Sequence, residues 1–154
     1  MPQQHWSDKK AFEKGMKTLK ILGREKRMMD QKEIYPDLYK LTVGHLWGDI
    51  WTRPHLTIKE RQLITLAVNI ALSRPHGNVP HYNSARRVGI THAQIMETII
   101  QVGAYCGWPV MAHAVKQYGE ALKEAGTTVA AVARKGKSRP AGKAPLKRGN
   151  GKRR

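Results

Sequence analysis

The sequence predicts an all-α fold of about six helices. Apolar residues recur at three- and four-residue spacing, the runs are bracketed by helix-capping residues, and no run alternates convincingly as a strand would. The segment "DKKAFEKGMKTLKIL" after Ser7 carries an N-cap candidate, acids early and Gly23 as a stop, and places Phe12, Met16, Leu19 and Leu22 or Gly23 on one stripe. The next stretch, "REKRMMDQKE", reads as too polar for the core. Pro36 suits the first turn of "DLYKLTVGHLWGDIW", where Trp47 and Trp51 stand four residues apart, on one face of a continuing helix. Thr57 with Glu60 makes a capping box for "IKERQLITLAVNIALS", whose middle is apolar on most sides and therefore reads as the central helix. Pro80 begins a further helix that stops at Gly89. Thr91 with Gln94 caps "HAQIMETIIQVGAYCG", and Pro109 starts "VMAHAVKQYGEALKEAG". The "TTVAAVA" after Gly126 fits either a short extension or a docking segment.

Charge divides the chain in two. Residues 134–154 hold ten Lys or Arg, no acid and no aromatic among Gly, Pro, Ser and Ala, too little apolar surface to offset the entropy of ordering. The expected organisation is a helical domain over 1–133 and a disordered basic tail over 134–154. Of the formal charge of +17, the folded part keeps +7, so most of the excess is on the tail. Such a tail attracts polyanions nonspecifically by releasing counterions. The single cysteine, Cys106, rules out an internal disulfide, and no Cys and His spacing resembles a zinc site. The opening "MPQQHWSDKK" has no apolar signal core, and no run approaches the roughly 18 apolar residues of a membrane span. These features point to a reduced, cytoplasmic setting.

The chemistry concentrates in "RPHGNVPHYNSARRVG", residues 74–89. His81 stands on the first turn of the Pro80 helix, where the positive end of the dipole favours a neutral imidazole or a bound anion. An imidazole with a pKa of about 6.5 can give or take a proton near neutrality; the plain alternative is a histidine that only packs or caps. Arg74 and Arg53 are candidate clamps for a substrate carboxylate, although each also fits a surface ion pair. Trp47, Trp51, Tyr105 and Trp108 could wall a pocket, but aromatics at helical spacing more often serve the core or a subunit interface. His76, His45 and His113 are too scattered to assign from pattern alone.

Taken together, "WGDIWTRP", "RQLITLAV", the Arg-Pro before His81, "VGIT" and "YCGWP" resemble, in order and spacing, the carboxymuconolactone decarboxylase family of the alkylhydroperoxidase-like all-helical superfamily. The resemblance spans Leu46 to Val115. It implies a subunit of a ring-like homo-oligomer, a trimer or hexamer with sites near subunit contacts, and it implies no metal and no organic cofactor. The family's histidine falls on His81, and its tryptophan segment on Trp47, Gly48, Trp51, Arg53 and Pro54. Where family decarboxylases commonly read Arg-Pro-Gly-Glu, this chain reads Arg74, Pro75, His76, Gly77, so the acid four residues before His81 is absent. A shifted alignment would set Asn78, equally untitratable, in its place. The peroxidase branch needs Cys-x-x-Cys and an upstream Glu; here those positions are Arg74, Gly77 and Gln62, which removes both the nucleophile and its relay.

The expected function is that of a cofactor-independent lyase acting on a small anionic lactone or oxo acid, with His81 as the catalytic proton donor. Arg74 or Arg53 would hold the carboxylate or oxyanion, Trp47 and Trp51 would exclude water, and the missing acid is either replaced by His76 or not needed because the substrate differs. The alternative is a non-catalytic oligomeric binding protein whose basic tails hold polyanions by avidity.

Overall fold

The computed structural model describes residues 8–74 and 78–137, and every regular element in them is helical. In chain order these are α1 (Lys9–Leu22), α2 (Glu25–Ile34), α3 (Pro36–Leu41) running directly into a π-helical segment (Thr42–Ile50), α4 (Ile58–Ala71), α5 (Asn78–Arg87), α6 (His92–Cys106), α7 (Trp108–Glu124) and α8 (Val129–Lys137). The all-α expectation holds, but about six helices was too few. The polar "REKRMMDQKE" is itself α2, and it buries Met28 against the first core. The stretch after Gly126 forms α8, which lays Val132 on the second core and continues four residues past Ala133. Residues 138–154 lie outside the described residues.

Local signals set most of the boundaries. The Asp8 carboxylate accepts from the Lys10 N–H, and Gly23 closes α1 in the left-handed conformation at φ 68°, where a Cβ would be strained. Both capping boxes form: Thr57 with Glu60 at α4 and Thr91 with Gln94 at α6. The backbone hydrogen bond from Thr57 holds the Glu60 carboxyl below its usual range, with the Thr57 hydroxyl adding to it. At α5 the structure differs from expectation by two residues, since the helix begins at Asn78 and Pro80 sits inside its first turn.

Two apolar cores lie side by side. Leu19, Leu22, Met28, Tyr39, Val43, Trp47 and Trp51 make the first, from α1 to the end of the π-helical segment. Leu66 and Ile70 of α4, Tyr82 of α5, Ile95 and Ile99 of α6 and Tyr118 of α7 make the centre of the second. Within the first, α1 packs so closely on the π-helical segment that a Cβ on Gly15 would overlap the Val43 carbonyl, and one on Gly48 the Ala11 carbonyl. Helix α5 fastens the cores together: the Ser84 hydroxyl donates to the Leu22 carbonyl at 2.9 Å, and Arg87 Nε to the Ile21 carbonyl at 3.1 Å.

The centrality expected of α4 is one-sided. Gln62, Leu66 and Ile70 face inward, whereas Ile64, Val68 and Leu72, on the opposite stripe, are each more than half exposed. Tyr105 and Trp108, around the α6–α7 corner, are exposed as well.

Candidate active site

A cleft of about 340 Å³ opens where α2, α3 and the π-helical segment of the first core meet α4 and α5 of the second. His81 faces it from α5 and Arg74 from the turn after α4; Arg24 approaches from just before α2 and Arg27 from its first turn, and Trp47 from the π-helical segment. Apolar walls come from Met28, Leu38 and Leu46, with Thr42 and Asn69 adding polar atoms. Among the described residues, no carboxylate lines the cleft. Among those residues, three guanidiniums therefore surround the His81 imidazole with no carboxylate lining the cleft beside them.

The electrostatics follow from this arrangement. Burial first, and then the charges of Arg24, Arg27 and Arg74, push the His81 pKa down to about 3, so its ring is neutral at physiological pH. Arg24 is lowered to about 10, by burial and then by Arg27, and so keeps its charge there. Its Nε donates to Ser84 Oγ at 3.2 Å, and its guanidinium carbon lies 5.6 Å from the Trp47 ring centroid, a cation–π contact that holds the charge over the cleft wall.

Gln62, fully buried on α4, orients the histidine. Its side-chain nitrogen donates to the His81 carbonyl at 3.0 Å and stands 3.5 Å from His81 Nδ1. The carbonyl requires a donor, which sets the amide's orientation, and the same nitrogen then meets Nδ1 as acceptor. The proton of the neutral ring accordingly sits on Nε2.

Arg74 is fixed through its backbone. Ser73, at φ 47°, turns the chain out of α4, and the Arg74 carbonyl accepts from Gln117 Nε2 at 2.8 Å. The Gln117 oxygen in turn accepts from Asn78 Nδ2 at 2.6 Å. Asn78 and Gln117 are both almost completely buried, so this amide pair belongs to the support of the cleft, and Asn78 does not stand in for the missing acid at its surface.

Of the residues singled out from sequence, Arg74, His81 and Trp47 meet in the cleft. Trp51 stacks beside Trp47, ring centroids 4.7 Å apart, and backs the wall without lining it. The Arg53 side chain is exposed and does not line the cleft; its carbonyl accepts from Arg61. His76 and Gly77 lie outside the described residues. Arg24 and Arg27 were missed by sequence reasoning. Their only signal was spacing: Arg24, just before α2, stands three and four residues ahead of Arg27 and Met28, and Met28 enters the core. Among the described residues, no group of three or more His, Cys, Asp or Glu could hold a metal ion, and no helix is long and apolar enough to cross a membrane.

The carboxymuconolactone decarboxylase family model matches residues 36–120, more than half of the chain, and the match contains Trp47, Arg74 and His81. The chain belongs to the carboxymuconolactone decarboxylase family. A similar protein is the 4-carboxymuconolactone decarboxylase of Acinetobacter baylyi, 25% identical over 124 residues that cover 78% of this chain and 92% of the relative. Another is the nitrosuccinic acid decarboxylase of Metarhizium robertsii, 30% identical over 105 residues, covering 66% and 73% respectively. Both family relatives are named as decarboxylases, and they support a decarboxylase function for this member.

Proposed function

We propose that this family member is a cofactor-independent decarboxylase of a small anionic lactone or oxo acid, and that the cleft around His81 is its active site. The observation that carries the reading is the ring of Arg24, Arg27 and Arg74 about the neutral His81 imidazole, with no carboxylate among the described residues that line the cleft. An anion entering it replaces mutual repulsion with charge-assisted hydrogen bonds.

In the reaction, the bond between the substrate's carboxylate carbon and its neighbour breaks, and carbon dioxide leaves. The electron pair moves into the adjacent carbonyl as an enolate, which the guanidiniums stabilise. His81 then delivers a proton to carbon and is reprotonated from water. A bound anion offsets the arginine charges that add to burial in lowering the His81 pKa, so substrate binding raises the ring's proton affinity, and the imidazolium form is the proton donor.

His81→Gln tests this reading, since a neutral amide keeps hydrogen-bonding capacity without titrating. On 4-carboxymuconolactone, nitrosuccinate and a panel of oxo-acid lactones, turnover should fall by roughly a hundredfold or more with the helical spectrum unchanged, the scale of losing a general acid. Turnover indifferent to the substitution would refute the mechanism. No turnover by the wild type on any of them would favour the non-catalytic binding protein.

A further inference from the structure

Arg24 and Arg27 also line a larger groove of about 640 Å³, of which His81 is not part. Its floor is the end of α1, the start of α2 and one face of α5, and the end of α7 closes one side. Five cationic side chains line it, Arg24, Lys26, Arg27, Arg86 and Arg87, against one carboxylate, Glu124. None of the five forms an ion pair among the described residues. Concentrating unpaired like charge around one hollow raises the local anion concentration.

Two of these cations are held in place. Arg24 is fixed through Nε by Ser84, and Arg87 through Nε by the Ile21 carbonyl, and each keeps its terminal amino groups for a second partner. The Arg87 stem lies over Gly23, where a Cβ would stand 2.9 Å from Arg87 Cδ, so the left-handed glycine that ends α1 also seats this arginine.

We propose that this groove is a second anion site, for a small multiply charged anion of the diphosphate type, and that it is coupled to the cleft through Arg24 and Arg27, which line both. Its volume is nearly twice that of the cleft, and its net excess of four positive charges matches a diphosphate better than a single carboxylate. An anion held there screens the two charges that also act on His81, so filling the groove changes the field inside the cleft without entering it. The site does not depend on the cleft being a decarboxylase.

Pyrophosphate added to the full-length protein at fixed ionic strength tests this, with calorimetry reading affinity and NMR of the His81 ring reading the coupling. Pyrophosphate should bind and shift the His81 resonances. Lys26→Gln combined with Arg86→Gln, neither of which lines the cleft, should weaken binding about tenfold or more and abolish the shift. Arg74→Gln, which lines only the cleft, should leave affinity within about twofold, a difference of under half a kcal/mol. If the double variant fails to fold, the exposed Lys26→Gln alone should weaken binding by about threefold. Loss of binding with Arg74→Gln, whatever the groove variants do, would place pyrophosphate in the cleft and overturn the proposal. Binding that survives all these substitutions would place it on neither surface and overturn it equally.

Discussion

Because His81 is held neutral by burial and by three arginines, protonating it should cost folding stability, and the size of that cost can be worked out. In the unfolded chain the imidazole titrates near 6.5; in the folded protein it titrates near 3. Between those values the unfolded state binds more protons, so stability rises with pH: His81's contribution is fully present above about pH 6.5 and is lost as pH falls toward 3. Integrating the difference from pH 7 to pH 5 gives a loss of about 2 kcal/mol from this one ring. The assay is urea unfolding of wild type and His81→Gln at both pH values, with protomer concentration held constant. The other histidines and the carboxylates titrate in both proteins and cancel in the comparison. The wild type should lose about 2 kcal/mol more than the variant on acidification. Equal losses would show that the ring is not held neutral, and the substrate-linked protonation proposed above would fall with it.

Two further predictions concern packing and assembly. Gly15→Ala should destabilise by about 3 kcal/mol or more, because its Cβ would collide with the Val43 carbonyl, whereas Gly119→Ala on α7, with open space around it, should stabilise by about 0.5–1 kcal/mol; thermal melts of the two variants distinguish them, and similar midpoints would contradict the close crossing of α1. The bare stripe of Ile64, Val68 and Leu72 and the exposed Tyr105 and Trp108 suit association of several copies. Light scattering should report three or six times the 17.4 kDa chain mass, and a monodisperse monomer would refute that.

What could be read from the sequence was local. Asp8, Thr57 and Thr91 cap because their oxygens reach N–H groups two or three residues away, and Gly23 and Gly89 stop helices because only backbone conformation is involved. His81 was legible through its motif, and Trp47 and Arg74 through theirs. The cleft's charge was not. Arg24 and Arg27 sit in a run that looks like ordinary solvated surface, and their meaning appears only when α2 is laid beside α5, more than fifty residues later in the chain. Helix α2 was missed for a related reason: a single buried methionine gives little periodic signal, and its helix is stabilised by tertiary packing. The Asn78–Gln117 pair spans 39 positions, and no short-range pattern announces it.

The contact of Arg24 with Trp47 makes the cleft its own optical reporter. Indole emission depends on the electric field across the ring, and here a guanidinium supplies that field from 5.6 Å while Trp51 lies close enough to share excitation. An anion that draws Arg24 toward itself alters the field at Trp47 whether or not any bond is subsequently broken. With Trp6 and Trp108 replaced by Phe, so that the emission comes from Trp47 and Trp51, candidate ligands can therefore be ranked by fluorescence before the reaction they undergo is known.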